Sequence, residues 1–207
     1  INMSVGFSDG CEPINPGYPV SSAIEYAYQK GVTMVAAAGN EANNTCYNGG
    51  IDYPAAYDEV IAVGAIGKNN QRAYYSNYGS DLDIVAPGGD AQSQYDPWDK
   101  WIWSTVFDKD NPANTQAYVG YIGTSMASPH IAGVCALMYA HGITSPEAIK
   151  YALKSTATDL GDPGYDIYYG AGKVNAEKAL LNAFPDPVRT FPDMYIYPNP
   201  FQDKTYI

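Results

Sequence analysis

The string Gly123-Thr124-Ser125-Met126-Ala127-Ser128-Pro129-His130 sets a serine hydroxyl where a short apolar run ends and a long apolar helical pattern begins. A helix N-terminus carries about half a positive charge, and its first N–H groups lack partners inside the helix. A group that turns negative beside Ser125 is therefore stabilised there. Gly123 allows a tight turn, and the small Ala127 lets neighbours approach. A serine so placed suits nucleophilic acyl transfer; the plainer reading is a hydroxyl that caps its helix. A second string, Ala36-Ala37-Ala38-Gly39-Asn40, closes an apolar strand pattern with small residues and one amide. Together with a backbone N–H at the serine, that amide can donate to a developing oxyanion. Taken alone it reads as a Gly-Asn turn.

Positioning two such strings takes strands that end at one edge and helices that cover them. Apolar runs predict strands over Val32–Ala38, Val60–Ile66, Asp83–Ala86, Trp101–Val106 and Ala117–Ile122. The first two are nearly continuous, as expected for parallel strands covered on both faces. A helical stripe runs through Val20–Lys30 and stops at Gly31. Ser145-Pro146-Glu147 is a helix start, with Ile149, Ala152 and Leu153 as its apolar stripe. Val174–Phe184 is a further amphipathic helix. The pattern after Ser125 is apolar on nearly every face, which predicts a helix buried all round and ending at Gly142. This alternation indicates the α/β class.

The formal net charge of −11, from 11 basic and 22 acidic residues, opposes binding to nucleic acid phosphates. No apolar run approaches the ~20 residues that span a bilayer. Cys11, Cys46 and Cys135 contain no CxxC pair and make neither a disulfide framework nor a zinc site. Cys135 reads as a buried inert thiol. Cys11 and Cys46 lie in polar, Gly/Pro/Asn-rich stretches, and in an exported protein they would form one surface disulfide. The opening Ile1-Asn2-Met3-Ser4-Val5-Gly6 reads like the middle of a buried strand rather than a leader peptide, so the chain is expected to be the later part of a longer protein. The clustered tyrosines Tyr165, Tyr168 and Tyr169 read as packing and surface aromatics.

Several strings, in this order, look like motifs of the subtilisin-like serine proteases: Ile1 through Gly6, Ala37 through Asn40, Tyr53-Pro54-Ala55, Val60 through Ala65, Val85-Ala86-Pro87-Gly88, Gly123 through Ala132 and Tyr169 through Ala176. The resemblance covers roughly residues 1–183. It implies a three-layer α/β sandwich with a mainly parallel sheet, truncated at its N-terminal side. It implies serine endopeptidase activity on protein or peptide substrates, with Ser125 as nucleophile and Asn40 in the oxyanion hole. Ser4, Val5 and Gly6 match a strand that pairs with substrate backbone, and Ala37, Ala38 and Gly39 match a wall of the specificity pocket. Thr124 also belongs to the substrate-binding set, and Met126 matches a methionine whose oxidation would hinder the site. Tyr53-Pro54 matches a cis bond.

The resemblance also exposes departures. The catalytic Asp and His of the family precede the serine, and neither falls within the chain. His130 matches a structural histidine of the nucleophile helix, and His141 lies in its last turn. The chain alone is therefore expected to be inactive. An alternative of another class is a surface-displayed, non-catalytic peptide-binding module on the same fold. An α/β-hydrolase esterase fits poorly, because its elbow needs glycine where Ala127 stands. Asp52 occupies the position of the specificity-pocket floor, often glycine in the family. Its carboxylate would attract a Lys or Arg side chain of the substrate, or else solvate a loop or bind a cation. No cofactor is required for the chemistry. Asp83 aligns near a weak calcium site, but a solvent-exposed aspartate is the favoured reading. Residues 1–184 are read as the peptidase part, 185–193 as a Pro-rich linker and 194–207 as the start of a C-terminal sorting β-domain. That last segment implies a partner in bacterial secretion machinery and a secreted or cell-surface location.

Overall fold

The computed structural model describes residues 1–106 and 117–182. The linker and sorting-domain expectations, and the last two residues of the 174–184 helix, fall outside the described residues.

Four parallel strands form the central sheet in sequential order: β1 (Asn2–Met3), β2 (Met34–Ala37), β3 (Val60–Ile66) and β4 (Ile84–Pro87). Val35 pairs with Asn2 on one side and Ile61 on the other, and Val63 pairs with Ile84. Side chains alternate across a strand, so consecutive apolar residues feed two different cores. Val35, Ile61, Val63, Ala65, Ile84 and Ala86 face helices α2 (Thr124–Ala140), α3 (Pro146–Thr156) and α4 (Ala176–Asn182). Met34, Ala36, Val60, Ala62, Ile66 and Val85 face the other way, toward Ile24 of α1 (Tyr18–Gln29). The result is a three-layer α/β/α sandwich. Strands β5 (Ile102–Val106) and β6 (Ala117–Tyr121) form a separate antiparallel pair, not part of the parallel sheet.

Local chemistry sets the helix ends. Ser145 Oγ accepts the Ala148 N–H at 3.4 Å and Pro146 fills the first turn, where a missing N–H costs nothing. Cys11 and Cys46 form the disulfide, with Cα atoms 5.3 Å apart, and Cys135 is the buried thiol, its pKa pushed up to about 12 by desolvation. The Tyr53–Pro54 bond is cis.

Two expectations are corrected. Helix α2 is not buried all round: Ile131, Val134, Cys135 and Met138 pack on the sheet, while Leu137 and Tyr139 are about half exposed. No element among the described residues covers that outer face, which borders an apolar recess of about 600 Å³ beside Ile1 and Val32. Asp83 is not an exposed aspartate but is 4% exposed. Its Oδ2 accepts the Ala62 N–H at 3.0 Å and faces Lys150 Nζ at 2.8 Å, while Oδ1 accepts from Lys154 Nζ at 2.8 Å. Burying a carboxylate is tolerable when its lone pairs are filled and its charge is matched. Two ammonium groups also make this carboxylate unfit for calcium.

Candidate functional site

The site forms where β1 and β2 end and α2 begins. Gly123, at φ +145°, turns the chain from β6 into α2; its N–H donates to the Gly88 carbonyl at 2.9 Å. The Met126 and Ala127 N–H groups both fall on Gly123 O, at 3.0 and 3.3 Å. Thr124 N–H donates to Asn40 Oδ1 at 2.9 Å, and Thr124 Oγ1 lies 3.0 Å from the same oxygen. A backbone N–H can meet only an acceptor, so these contacts fix which end of the Asn40 amide is oxygen. Asn40 Nδ2 and the Ser125 N–H are left without acceptors among the described residues. Both residues line one cleft of about 110 Å³, room for three or four waters at roughly 30 Å³ each or for the end of one side chain.

A second fastening brings the β1 extension to the serine. A proline in a helix removes the N–H that would bond the carbonyl four residues earlier. Pro129 stands inside α2, so the Ser125 carbonyl loses its helical donor. Ser4 Oγ supplies the replacement at 2.9 Å and also lies 3.2 Å from Ser128 Oγ. The extended residues Val5 and Gly6 then continue past the cleft with no backbone hydrogen-bond partners among the described residues, leaving an open edge.

The cleft is also lined by a buried acid. Asp52, 2% exposed, packs against both glycines that flank it. A Cβ at Gly6 would stand 2.7 Å from Asp52 Oδ2. One at Gly39, whose φ is +109°, would stand 2.2 Å from Asn77 Nδ2 and 2.7 Å from the Asp52 carboxyl. The buried Asn77 amide donates to Asp52 Oδ1 at 3.2 Å and to Glu41 Oε2 at 2.9 Å. Glu41 is held in turn by the Asn40 N–H on Oε2, and its own N–H donates to Asn77 Oδ1, both at 2.7 Å. Burial, and then the neighbouring Glu41 carboxylate, push the Asp52 pKa up to about 7, against the smaller opposing effects of Ser8 and Asn77.

Ser4, Val5, Gly6, Ala37, Gly39, Asn40, Asp52, Thr124 and Ser125 thus line one cleft. Ala38 does not. Strand alternation turns its side chain into the core beside Ile24 and Met34, and only its carbonyl bears on the site, accepting the Asp52 N–H at 3.0 Å. Glu41, Ser8 and Asn77 were missed. Glu41 adjoins Asn40, but its loop, 41–51, lacks a readable pattern; for Ser8 and Asn77 the sequence carries no signal. Asp52 is also no loop-solvating aspartate. His130 lies outside the site, with Nδ1 bonded to the Met126 carbonyl at 2.8 Å. His141 ends α2, about 24 Å from Ser125 at 1.5 Å rise per residue. Among the described residues no group of three or more His, Cys, Asp and Glu side chains could hold a metal, and no helix is long and apolar enough to cross a membrane.

Comparisons with known proteins agree with this architecture. The subtilase family (peptidase S8) matches residues 1–172. Subtilisin DY of Bacillus licheniformis is 41% identical over 180 residues, covering 86% of this chain and 56% of that protein. Thermitase of Thermoactinomyces vulgaris is 38% identical over 180 residues, covering 87% and 53%. Among solved structures, a protease from Pseudoalteromonas arctica superposes with a TM-score of 0.73 at 35% identity, over 88% of this chain and 50% of that one. A lanthipeptide protease gives 0.70 at 29% identity, over 89% and 61%. The chain spans about half the length of the curated relatives it matches.

Proposed function

Because the chain belongs to the subtilase family, we propose that it carries the nucleophile half of a serine endopeptidase site, and that the complete protein cleaves peptide bonds through an acyl-enzyme on Ser125. In this reading Ser125 Oγ attacks the scissile carbonyl carbon. The carbonyl oxygen takes up negative charge, and Asn40 Nδ2 and the Ser125 N–H donate to it. Collapse expels the amine and leaves an ester on Ser125, which water then hydrolyses. The substrate backbone adds as a strand along the open edge at Val5 and Gly6. The observation that carries the reading is the double hold of Thr124 on Asn40 Oδ1, which leaves Nδ2 and the Ser125 N–H as the two unspent donors beside one hydroxyl.

The proton leaving Ser125 needs a base. His130 is committed to the Met126 carbonyl and His141 is a helix length away. The imidazole and its orienting acid are therefore assigned to sequence outside these 207 residues, and the isolated chain is expected to turn over no peptide. An extracellular setting is supported by the Cys11–Cys46 disulfide, since such bonds persist in oxidising compartments. Delivery through a C-terminal sorting segment at 194–207 is part of the same proposal. No calcium is assigned. The non-catalytic alternative gains nothing from this geometry, because a peptide-binding groove has no use for two donors aimed beside a hydroxyl.

The test is hydrolysis of a fluorogenic peptide by the complete protein. Ser125→Ala should abolish it. Asn40→Ala should lower kcat about 10- to 100-fold with little change in KM, because a hydrogen bond to a charged group contributes roughly 1.5–3 kcal/mol. Unchanged turnover in Ser125→Ala would defeat the proposal.

A further inference from the structure

The lining of the cleft includes two acids in contact with one donor. Asn77 Nδ2 reaches both Glu41 Oε2 and Asp52 Oδ1, at 2.9 and 3.2 Å, which forces the two carboxyl groups together. Like charges this close, one of them buried, do not both ionise at the ordinary carboxylate pKa. Gly6 and Gly39 leave room for the Asp52 carboxyl only because neither carries a Cβ, and Ser125 lines the same cleft.

Resting on the peptidase reading above, we propose that Asp52 and Glu41 form a proton-sharing pair that selects a lysine or arginine side chain of the substrate, and that this selection strengthens as pH rises. With one proton between them the pair carries a single negative charge. When that proton leaves, the charge doubles in a site of low dielectric, and an entering ammonium or guanidinium compensates it. An uncharged side chain offers no such compensation and is disfavoured by the same step.

The surroundings leave the pair to itself. From the β1 extension comes the Ser8 hydroxyl, with Asp9 and Glu12 farther along that loop; the Asp9 carboxylate is occupied by the Cys11 and Glu12 N–H groups. From the start of α2 come only Thr124 and Ser125, neutral hydroxyls at the positive end of the helix dipole. Behind Asp52 stands the Tyr47 phenol, which burial pushes up to about 12, so it stays neutral. The Arg72 guanidinium is directed at the Ala73 and Ser76 carbonyls and over the Tyr78 ring, not at the carboxyl pair. Among the described residues no lysine lines the cleft.

Two arms test this on the complete protein. In the first, matched peptides differing only in lysine or norleucine before the cleaved bond are compared by kcat/KM from pH 5.5 to 9. The lysine-to-norleucine ratio should rise with pH and reach about tenfold or more, the size of one well-formed charge contact. Asp52→Asn should remove both the preference and its pH dependence, and Glu41→Gln should flatten the pH dependence. A ratio near one throughout, or a ratio untouched by Asp52→Asn, overturns the proposal. In the second arm, the fluorescent cation p-aminobenzamidine is titrated into Ser125→Ala protein, where no turnover is needed. Binding should tighten with pH and weaken about tenfold or more in Ser125→Ala/Asp52→Asn; equal binding in both overturns the pair. Amidine binding that needs Asp52, with no peptide cleaved by the wild type, would remove the peptidase reading and leave the pair standing.

Discussion

Replacing Asp52 by Asn should stabilise the protein at neutral and alkaline pH. Asp52 is 2% exposed, and its carboxyl keeps its proton to about pH 7, whereas in an unfolded chain it would lose it near 3.8. Between those values the folded state holds a proton that the unfolded state has released, so stability falls as pH rises. At about 1.4 kcal/mol per tenfold change in proton affinity, the full cost at pH 8 is at most about 4 kcal/mol. Asparagine has the shape of the protonated acid: its oxygen still accepts from Asn77 Nδ2, and its amide can donate to Glu41. The two proteins should therefore be equally stable near pH 4, and the asparagine variant should pull ahead through pH 5–7 and level off above it. Urea unfolding midpoints across pH 4–8 measure this, with Ser125→Ala in both proteins to prevent self-digestion. A stability difference that stays flat across this range, or an asparagine variant less stable at pH 8, would refute the buried-acid argument.

Two other perturbations follow from the same geometry. Gly39→Ala forces a Cβ to 2.2 Å from Asn77 Nδ2 at a φ of +109°; it should cost about 2 kcal/mol or more in urea unfolding, and a loss below 0.5 kcal/mol would contradict the packing. Joint replacement of Cys11 and Cys46 by serine opens a loop of sequence separation 35; chain entropy puts the loss at about 4 kcal/mol, read as the same midpoint shift, and no shift would show that the bridge does not hold the cleft loops.

The sequence was most legible where one residue type has one structural use. The run Val60–Ile66 is β3 residue for residue, because a strand covered on both faces has no polar position to disguise it. The Ser145-Pro146 start and the turn at Gly123 are local chemistry and appeared as read. What failed was set by partners distant in sequence. Asp83 looked like a surface aspartate because Lys150 and Lys154, which hold it, lie on α3. Ala38 sits in the right string but on the wrong side of the strand, a matter of parity that a run of three alanines hides. The acid pair needs Asn77 to bring Glu41 and Asp52 together across loops whose lengths fix nothing. The outward face of α2 has the same apolar composition as its buried face, so composition could not tell them apart.

The proposed peptidase site rests on an activated hydroxyl at Ser125 served by the Asn40 amide. Treating the complete protein with a fluorophosphonate and locating the adduct by mass spectrometry tests it directly. A single phosphonylated residue, Ser125, is expected, formed markedly more slowly in Asn40→Ala. An unmodified Ser125, or an adduct on another serine at the same rate in both proteins, would contradict it.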